Sequence, residues 1–424
     1  MRKKVLVRAP VLTRSGYGEH GRFVLRALRS REDLFEVYVI PVNWGETGWL
    51  TSDNEERKWT DERIKATTEY GSKGGNFDIS IQVTIPNEWQ KMAPINIGVT
   101  AGIETTKVAP VWLEKANEMD KIITISEHSR DSFLGTVYDG VNSKTQQKMV
   151  LRCENDIDIV HYPVKKYENL PDLNLELEYD FNYLSIAQSG PRKNLENTIK
   201  WFVEENIDQK VGLVLKTFIK SESTVDRQYT EDMLSAILSV YPERKCKVYL
   251  LHGDMSDGEI HSLYVHPKIK CMISATHGEG FGLPLFEAAY SALPIVAPGW
   301  SGQCDFLYAP LEPKKGKGKG KNKHPYFSEV DYTLSPVPEN AVWEGVVQKD
   351  SMWCYPQEGS FKMKLRGVRK NYSKWKKKAL SLQEWVLKNF EEEMLYKKFT
   401  DLIYEKEEFD VENWLEDLSI EEYT

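Results

Sequence analysis

No run in this 424-residue chain approaches the ~20 consecutive apolar residues that a membrane-spanning helix requires. The opening "MRKKVLVRAPVLTRSG" has a basic head, but Arg8 and Arg14 break its apolar stretch, so it reads as a first β-strand and not as a secretory leader. Cysteine is scarce as well: Cys153, Cys246, Cys271, Cys304 and Cys354 are odd in number and far apart, with no C-x-x-C and no Cys/His group at zinc spacing. That pattern excludes a disulfide framework and a structural zinc site, and predicts reduced thiols in a soluble, cytoplasmic protein. An excess of basic charge is also missing. Fifty-six Lys and Arg face 64 Asp and Glu, a net charge of −8, which argues against nucleic acid as a partner because phosphate-backbone binding needs a broad basic footprint. Any anion site must be local, and peripheral membrane contact stays open.

What is present is ordinary globular material, 41% hydrophobic and 28% charged, in a chain too long for a single core. Short apolar runs alternate with amphipathic stretches. Strands are expected at 4–10, 35–42, 77–83, 95–100 and 121–126, with a helix over 18–30, where Phe23, Val24, Ala27 and Leu28 recur at helical spacing. A polar stretch with Pro163 and Pro171 then suggests a linker. A second β/α series follows, with strands at 181–187, 211–218, 247–253 and 270–276 and helices at 194–205 and 229–241. The fold class expected is α/β, two doubly wound Rossmann-like domains in tandem. We place an N-terminal domain at 1–165, a second at 166–385, and a helical segment at 386–424 that returns to the first.

Two stretches stand apart. Residues 312–323, "EPKKGKGKGKNK", alternate Gly and Lys and cannot bury apolar surface; a surface loop or a contact with acidic lipid or an anionic acceptor fits them. The last 24 residues carry ten acidic side chains against one lysine, but Tyr404, Phe409 and Trp414 suggest a helix packed on the body.

The stretch that carries chemistry is "HGEGFGLPLFEAAYSALPIVA", residues 277–297. It reads as a strand feeding a glycine-rich turn into a helix, with Pro284 in the first turn, where a missing N–H costs nothing. Gly280 and Gly282 let backbone approach a ligand, and the free N–H groups of the helix start favour an anion. Glu279 in the turn and Glu287 in the first helical turn are expected to face one crevice at a strand's carboxyl end, where open α/β sheets bind ligands. Carboxylates there suit vicinal hydroxyls, and a nucleotide sugar offers hydroxyls on both sides of a diphosphate.

The E-x7-E spacing with the core "EGFGLPLFEA" closely resembles the signature of retaining glycosyltransferases of the GT-B fold, the class grouped as family 4. The resemblance implies that Glu287 binds ribose hydroxyls and that Glu279 faces the donor sugar near its 3- and 4-hydroxyls, with Gly280, Phe281, Gly282 and Leu283 forming the cradle between them. "SIAQSGPRKNLENTIKWF" (185–202) resembles the family's diphosphate-holding turn. Lys193 matches the family lysine, while the family arginine stands several residues earlier, where this chain has Gln188 or Ser189; Arg192 is the nearest substitute. Lys216, ending the next strand, is a further candidate. In the first domain "TRSGYGEHGRF" (13–23) resembles the family's glycine loop, which makes Gly16 and Gly18 candidates beside the phosphates and the acceptor. "TAGIETTKVAPVW" (100–112) falls where many relatives carry a histidine; Glu104 and Thr105 stand there instead, and Glu104 joins Glu279 and Lys193 as a catalytic candidate.

Other residues read as structural. His128 is expected to cap or face solvent, His252 and His277 to serve the fold, and Asp156-Ile157-Asp158 to be a chance D-x-D with no metal role. The resemblance therefore implies transfer of a hexose, by a weak lean mannose from GDP-mannose, to a glycan, lipid or protein acceptor, with retention and without metal or cofactor. A glycosidase would need two carboxylates but no phosphate cradle, and a dinucleotide oxidoreductase would show another glycine spacing. A catalytically inactive sugar-nucleotide-binding scaffold is the alternative.

Overall fold

The computed structural model describes residues 2–141, 147–311 and 322–404. The first half runs β1 (Lys3–Ala9), α1 (Gly16–Arg29), β2 (Phe35–Pro41), α2 (Glu55–Ser72), β3 (Ile79–Val83), β4 (Ile95–Thr100), α3 (Pro110–Asn117), β5 (Lys121–Thr124), α4 (Glu127–Gly135), an antiparallel ribbon of β6 (Val137–Val141) and β7 (Lys148–Arg152), and β8 (Ile157–Ile159). The second half runs β9 (Asn182–Gln188), α5 (Leu195–Glu205), β10 (Gly212–Phe218), α6 (Thr224–Leu238), β11 (Lys247–Leu251), α7 (Asp257–Val265), β12 (Ile269–Ile273), α8 (Leu283–Tyr290), β13 (Ile295–Pro298) and α9 (Cys304–Leu307). After these come a ribbon of β14 (Tyr308–Pro310) with β15 (Lys323–Pro325), then β16 (Ser328–Val330), a ribbon of β17 (Tyr332–Pro336) with β18 (Met352–Pro356), and α10 (Glu358–Lys370), α11 (Tyr372–Asn389) and α12 (Glu392–Ile403).

Each half is built on a parallel six-stranded sheet, ordered β2-β1-β3-β4-β5-β8 in the first and β11-β10-β9-β12-β13-β16 in the second. Helices cover both faces, so the strands are buried on both sides and read as nearly unbroken apolar runs: Val5, Leu6 and Val7 in β1, and Leu213, Val214 and Leu215 in β10, are all buried. Both halves of the expected doubly wound architecture are present. Helix α1 begins where Ser15 Oγ accepts from the Gly18 N–H at 2.9 Å, and its apolar stripe, Phe23, Val24, Ala27 and Leu28, is buried on the sheet.

The chain order places the crevices. In the second sheet the direction of winding reverses between β9 and β12, and in the first between β1 and β3; loops leaving the carboxyl ends of such neighbours run apart and open a gap. The loops after β9 and β12 carry Arg192, Lys193 and Glu279, and the loop after β1 carries Gly16. The halves are joined by more than the linker. Phe23 of α1 packs on Tyr396 and Phe399 of α12 at ring-centroid distances of 5.8 and 5.6 Å, and Tyr162 meets Phe281 at 5.3 Å.

Some elements were not expected. Helix α2 buries only Thr60 fully, so its sequence lacks an apolar stripe; α7 was passed over between two strands, although Ser256 and Glu259 form a capping box at its start. The Gly/Lys stretch lies almost wholly outside the described residues, as do the last twenty residues with Phe409 and Trp414. No helix among the described residues is long and apolar enough to cross a membrane.

Candidate active site

A cavity of about 870 Å³ lies between the two halves, at the carboxyl ends of both sheets, within the usual range for a small-molecule site. In its wall, Lys193 Nζ sits 2.7 Å from both carboxylate oxygens of Glu279, and one Arg192 nitrogen donates to Glu279 Oε2 at 3.1 Å. The other Arg192 terminal nitrogen reaches Glu104 Oε1, across the cleft on the first half, at 3.1 Å. Four of the candidates, Lys193, Glu279, Arg192 and Glu104, thus form one chain of alternating charge that bridges the halves.

Local backbone explains the placement. Pro191–Lys193 form a single 3-10 turn, and Asn194 adopts a left-handed conformation (φ 49°) that ends the turn and starts α5, so both cations project before the helix begins. Glu279 is fixed from the other side: its N–H donates to Ser301 Oγ at 2.8 Å, and Gly282 caps α8 with φ 93°, a left-handed value that favours glycine. Burial alone would push the Glu279 carboxyl up, but the Lys193 ammonium and the Arg192 guanidinium outweigh it and hold it at about 2. Burial and then the neighbouring Arg192 pull the Lys193 ammonium down, while the Glu279 charge opposes them. The cluster balances two cations against two carboxylates, Lys193 and Arg192 against Glu279 and Glu104.

The remaining candidates divide. Gly16, Glu104, Lys216, Gly280, Phe281, Gly282 and Leu283 all line the cavity. Lys216 is already engaged, its Nζ 2.9 Å from both Glu222 Oε1 and Gly253 O. Gly280 serves contact between the halves: a Cβ there would stand 2.5 Å from Ala101 O. Gly18 is not in the cavity wall, and a Cβ there would lie 2.2 Å from Thr13 O, so this glycine lets the turn close on itself. Glu287 differs most from expectation. It is the fifth residue of α8, one turn later than anticipated, and does not line the cavity. Its Oε2 is buried without a hydrogen-bond partner among the described residues, 3.6 Å from His261 Nδ1, and Tyr167 stacks on that imidazole at 4.2 Å.

The histidines read as structural fall as follows. His277 Nδ1 lies 2.6 Å from Cys354 O and its ring stacks on Trp353. His252 Nε2 lies 2.8 Å from Asp226 Oδ1, in a buried pair. His128 neither caps α4, where Ser126 does, nor faces solvent: it is half-buried edge-on to Trp300, and burial holds it at about 4. Asp156 and Asp158 lie at and beside β8, in no metal-like group among the described residues.

Sequence reasoning missed several residues of the wall. Tyr17 and Trp44, with rings 4.1 Å apart, line the first half of the cavity. Arg14 crosses to the second half, 2.7 Å from Met255 O and 2.9 Å from Asp254 Oδ1. A strap between β17 and β18, residues 337–351, also reaches the cavity with Asn340, Trp343 and Val347. The aromatic and charged composition of "PVPENAVWEGVVQKDSMW" was a signal for the strap; nothing local marked Arg14.

No protein-family model matches the chain. Among curated proteins it is similar to the serotype-specific mannosyltransferase WbdA of Escherichia coli, 30% identical over 118 residues, which cover 27% of this chain and only 13% of that relative. Among solved structures it is similar to sucrose-phosphate synthase from Thermosynechococcus elongatus, with TM-score 0.61 and 12% identity, covering 99% of this chain and 100% of that one. It is similar also to Anabaena Alr3699/HepE, solved in complex with UDP and glucose, with TM-score 0.58 and 10% identity, covering 95% and 99%. At these identities the likeness fixes the fold alone. Together with the two parallel sheets it shows the GT-B fold, two Rossmann-like domains facing across a cleft.

Proposed function

We propose that the chain is a retaining glycosyltransferase that moves a hexose from a nucleoside diphosphate sugar to an acceptor hydroxyl, without a metal ion. One observation carries this reading: the pairing of Lys193 and Arg192 with Glu279 at the second half's crevice, in the cleft of a GT-B fold. The mannosyltransferase match and the neighbour solved with UDP and glucose support it from outside. The donor assigned is GDP-mannose, with the mannosyltransferase match in support.

In this reading the donor diphosphate lies over the start of α8, and Lys193 and Arg192 take up the charge that grows on it as it leaves. The bond from the anomeric carbon to the diphosphate oxygen breaks, and a bond from that carbon to the acceptor oxygen forms on the same face. The acceptor proton passes to the departing diphosphate, so no side-chain nucleophile is required. Glu279, ionised throughout the physiological range, accepts from sugar hydroxyls and holds the ring. Glu104 comes from the other half and positions Arg192. Glu287 is assigned the ribose hydroxyls on the motif, and to meet them its side chain must turn from His261 into the cavity, where they would supply the partner that its buried oxygen lacks. The nucleotide is bound by the second half and the acceptor by the first, with closure excluding water.

The test is product analysis by NMR after incubation with GDP-mannose or UDP-glucose and simple glycoside acceptors in excess EDTA. An α-linked product from an α-linked donor supports the reading. An inverted product refutes retention, dependence on added metal refutes the metal-free mechanism, and no transfer with either donor under any condition refutes the assignment of donor and reaction.

A further inference from the structure

The strap at 337–351 leaves the second half, reaches the first and returns. At its base Val337 N–H donates to Ser351 O at 3.1 Å; on the first half, Met352 N–H donates to Thr106 Oγ1 at 3.0 Å and Lys107 pairs with Asp350. Its tip is a tight turn in which Val346 and Val347 N–H groups donate to Trp343 O at 2.9 and 2.8 Å, and Gly345 supplies the left-handed residue (φ 73°). Trp343 is therefore held on a hydrogen-bonded turn, yet it is 57% exposed and forms part of the cavity wall.

A single exposed tryptophan is common and by itself says little. Here its surroundings limit what it can meet. The strap's Glu339–Ala341 turn lies against the Pro191–Lys193 turn, and Trp343, two residues on, lines the same cavity as Arg192 and Glu104. Tyr17 and Trp44 form aromatic wall on the first half. Apart from Arg192, which the donor takes in the proposed transfer, the cations of this wall are already matched: Arg14 with Asp254, Arg22 with Glu19, and Lys165 with Glu19 and Asp257. A phosphorylated acceptor would have to break these pairs, which no step of the proposed transfer releases, and a lipid chain would meet Arg14, Glu104 and Asn340 interrupting the apolar surface. A neutral pyranose fits both features. Its C–H face packs on a flat aromatic ring, and its hydroxyls donate to a carboxylate such as Glu104, which has acceptor capacity beyond its contact with Arg192.

Resting on the reading of the cleft as a glycosyl-transfer site, we propose that the 337–351 strap completes the acceptor subsite of the first half, that Trp343 is its stacking platform, and that the acceptor is a neutral carbohydrate. The donor's nucleotide does not touch this residue. Trp343 sets which acceptor is accepted and leaves donor binding alone.

Saturation-transfer NMR tests this with methyl α-D-mannopyranoside, an α-linked mannobiose and geranyl phosphate as probes, on the full chain and its Trp343→Ala and Trp343→Phe variants. Exposure of the indole means that neither substitution should cost the fold, which thermal melting checks. We expect pyranose signals with the parent and with Trp343→Phe, and affinity about tenfold weaker or lost with Trp343→Ala. Absence of a pyranose signal on the parent, equal signals with Trp343→Ala, or a geranyl phosphate signal alone overturns the proposal. Calorimetric titration of the same three proteins with GDP and UDP separates the two readings. Unchanged nucleotide binding beside a failed sugar result condemns the acceptor subsite alone, whereas no nucleotide binding to the parent condemns the donor assignment.

Discussion

The two halves share a sheet plan and differ in what their loops carry. In the second half the loops after β9 and β12 bring two cations and a carboxylate to one point. In the first half the loop after β1 brings Arg14, the start of α1 brings Gly16 and Tyr17, and the loop after β4 brings the carboxylate Glu104. Identical scaffolding thus presents a charged crevice on one side and an aromatic, charge-matched wall on the other. The fold supplies the position of a site, and side chains on a few loop residues supply its chemistry. The asymmetry also explains how the halves hold together: Arg192 spends one nitrogen on each, joining Glu279 to Glu104.

The sharpest way to break the comparison is to remove the charge at its centre. Glu279→Ala leaves the half-buried Lys193 and Arg192 with less than their matching charge, and should destabilise the protein by about 2–3 kcal/mol as well as abolish transfer. Glu279→Gln keeps the shape and should retain more stability while still losing turnover. Denaturant unfolding and a transfer assay on both variants separate the two effects, and parent-like behaviour of Glu279→Ala would show that the cluster is dispensable.

A smaller effect is expected where the halves touch. Gly280→Ala places a methyl group 2.5 Å from Ala101 O, so the second half must shift away from the first. A loss of about 1–3 kcal/mol is expected, with a wider cleft in solution scattering. Unchanged stability and unchanged scattering would mean that the contact yields without cost.

The smallest effect concerns the first half alone. His20 is buried beside Tyr162 with neither ring nitrogen partnered among the described residues, and burial holds it at about 3. Its folded value lies below the ordinary ~6.5, so the unfolded chain takes up a proton that the folded chain refuses. The stability from this residue is complete above pH 6.5 and falls as pH drops toward 3. His20→Leu should remove that slope and match or exceed the parent at neutral pH, by up to about 2 kcal/mol, because two unpaired nitrogens leave the core. An unchanged acid slope in equilibrium unfolding would contradict this.

Much of this arrangement was legible in the sequence because it depends on short-range pattern. Buried parallel strands are apolar along their whole length, and the turn glycines around Glu279 sit where the backbone requires them. Lys193 and Glu279 were both visible in turns that follow strands. Their direct pairing was not, since it depends on the strand order that brings β9 beside β12. Glu104 was found by position, but its contact with Arg192 joins residues 88 apart in the chain and depends on how the halves close. Helix α2 escaped because its faces are nearly all polar, and the strap escaped because its function as a wall comes from where its ends are tied. Glu287 shows the converse limit. The motif located the residue, while its orientation toward His261 follows from packing between α7 and α8.

The most direct test of the central claim is calorimetric titration of the full chain with GDP-mannose, UDP-glucose and their free nucleoside diphosphates, beside a Lys193→Ala variant. The account predicts that one nucleotide binds the parent without metal and that Lys193→Ala weakens its binding by tenfold or more, roughly the ~1.5–3 kcal/mol of a charge-assisted contact. Equal binding to both proteins, or binding of none of them to the parent, would contradict it.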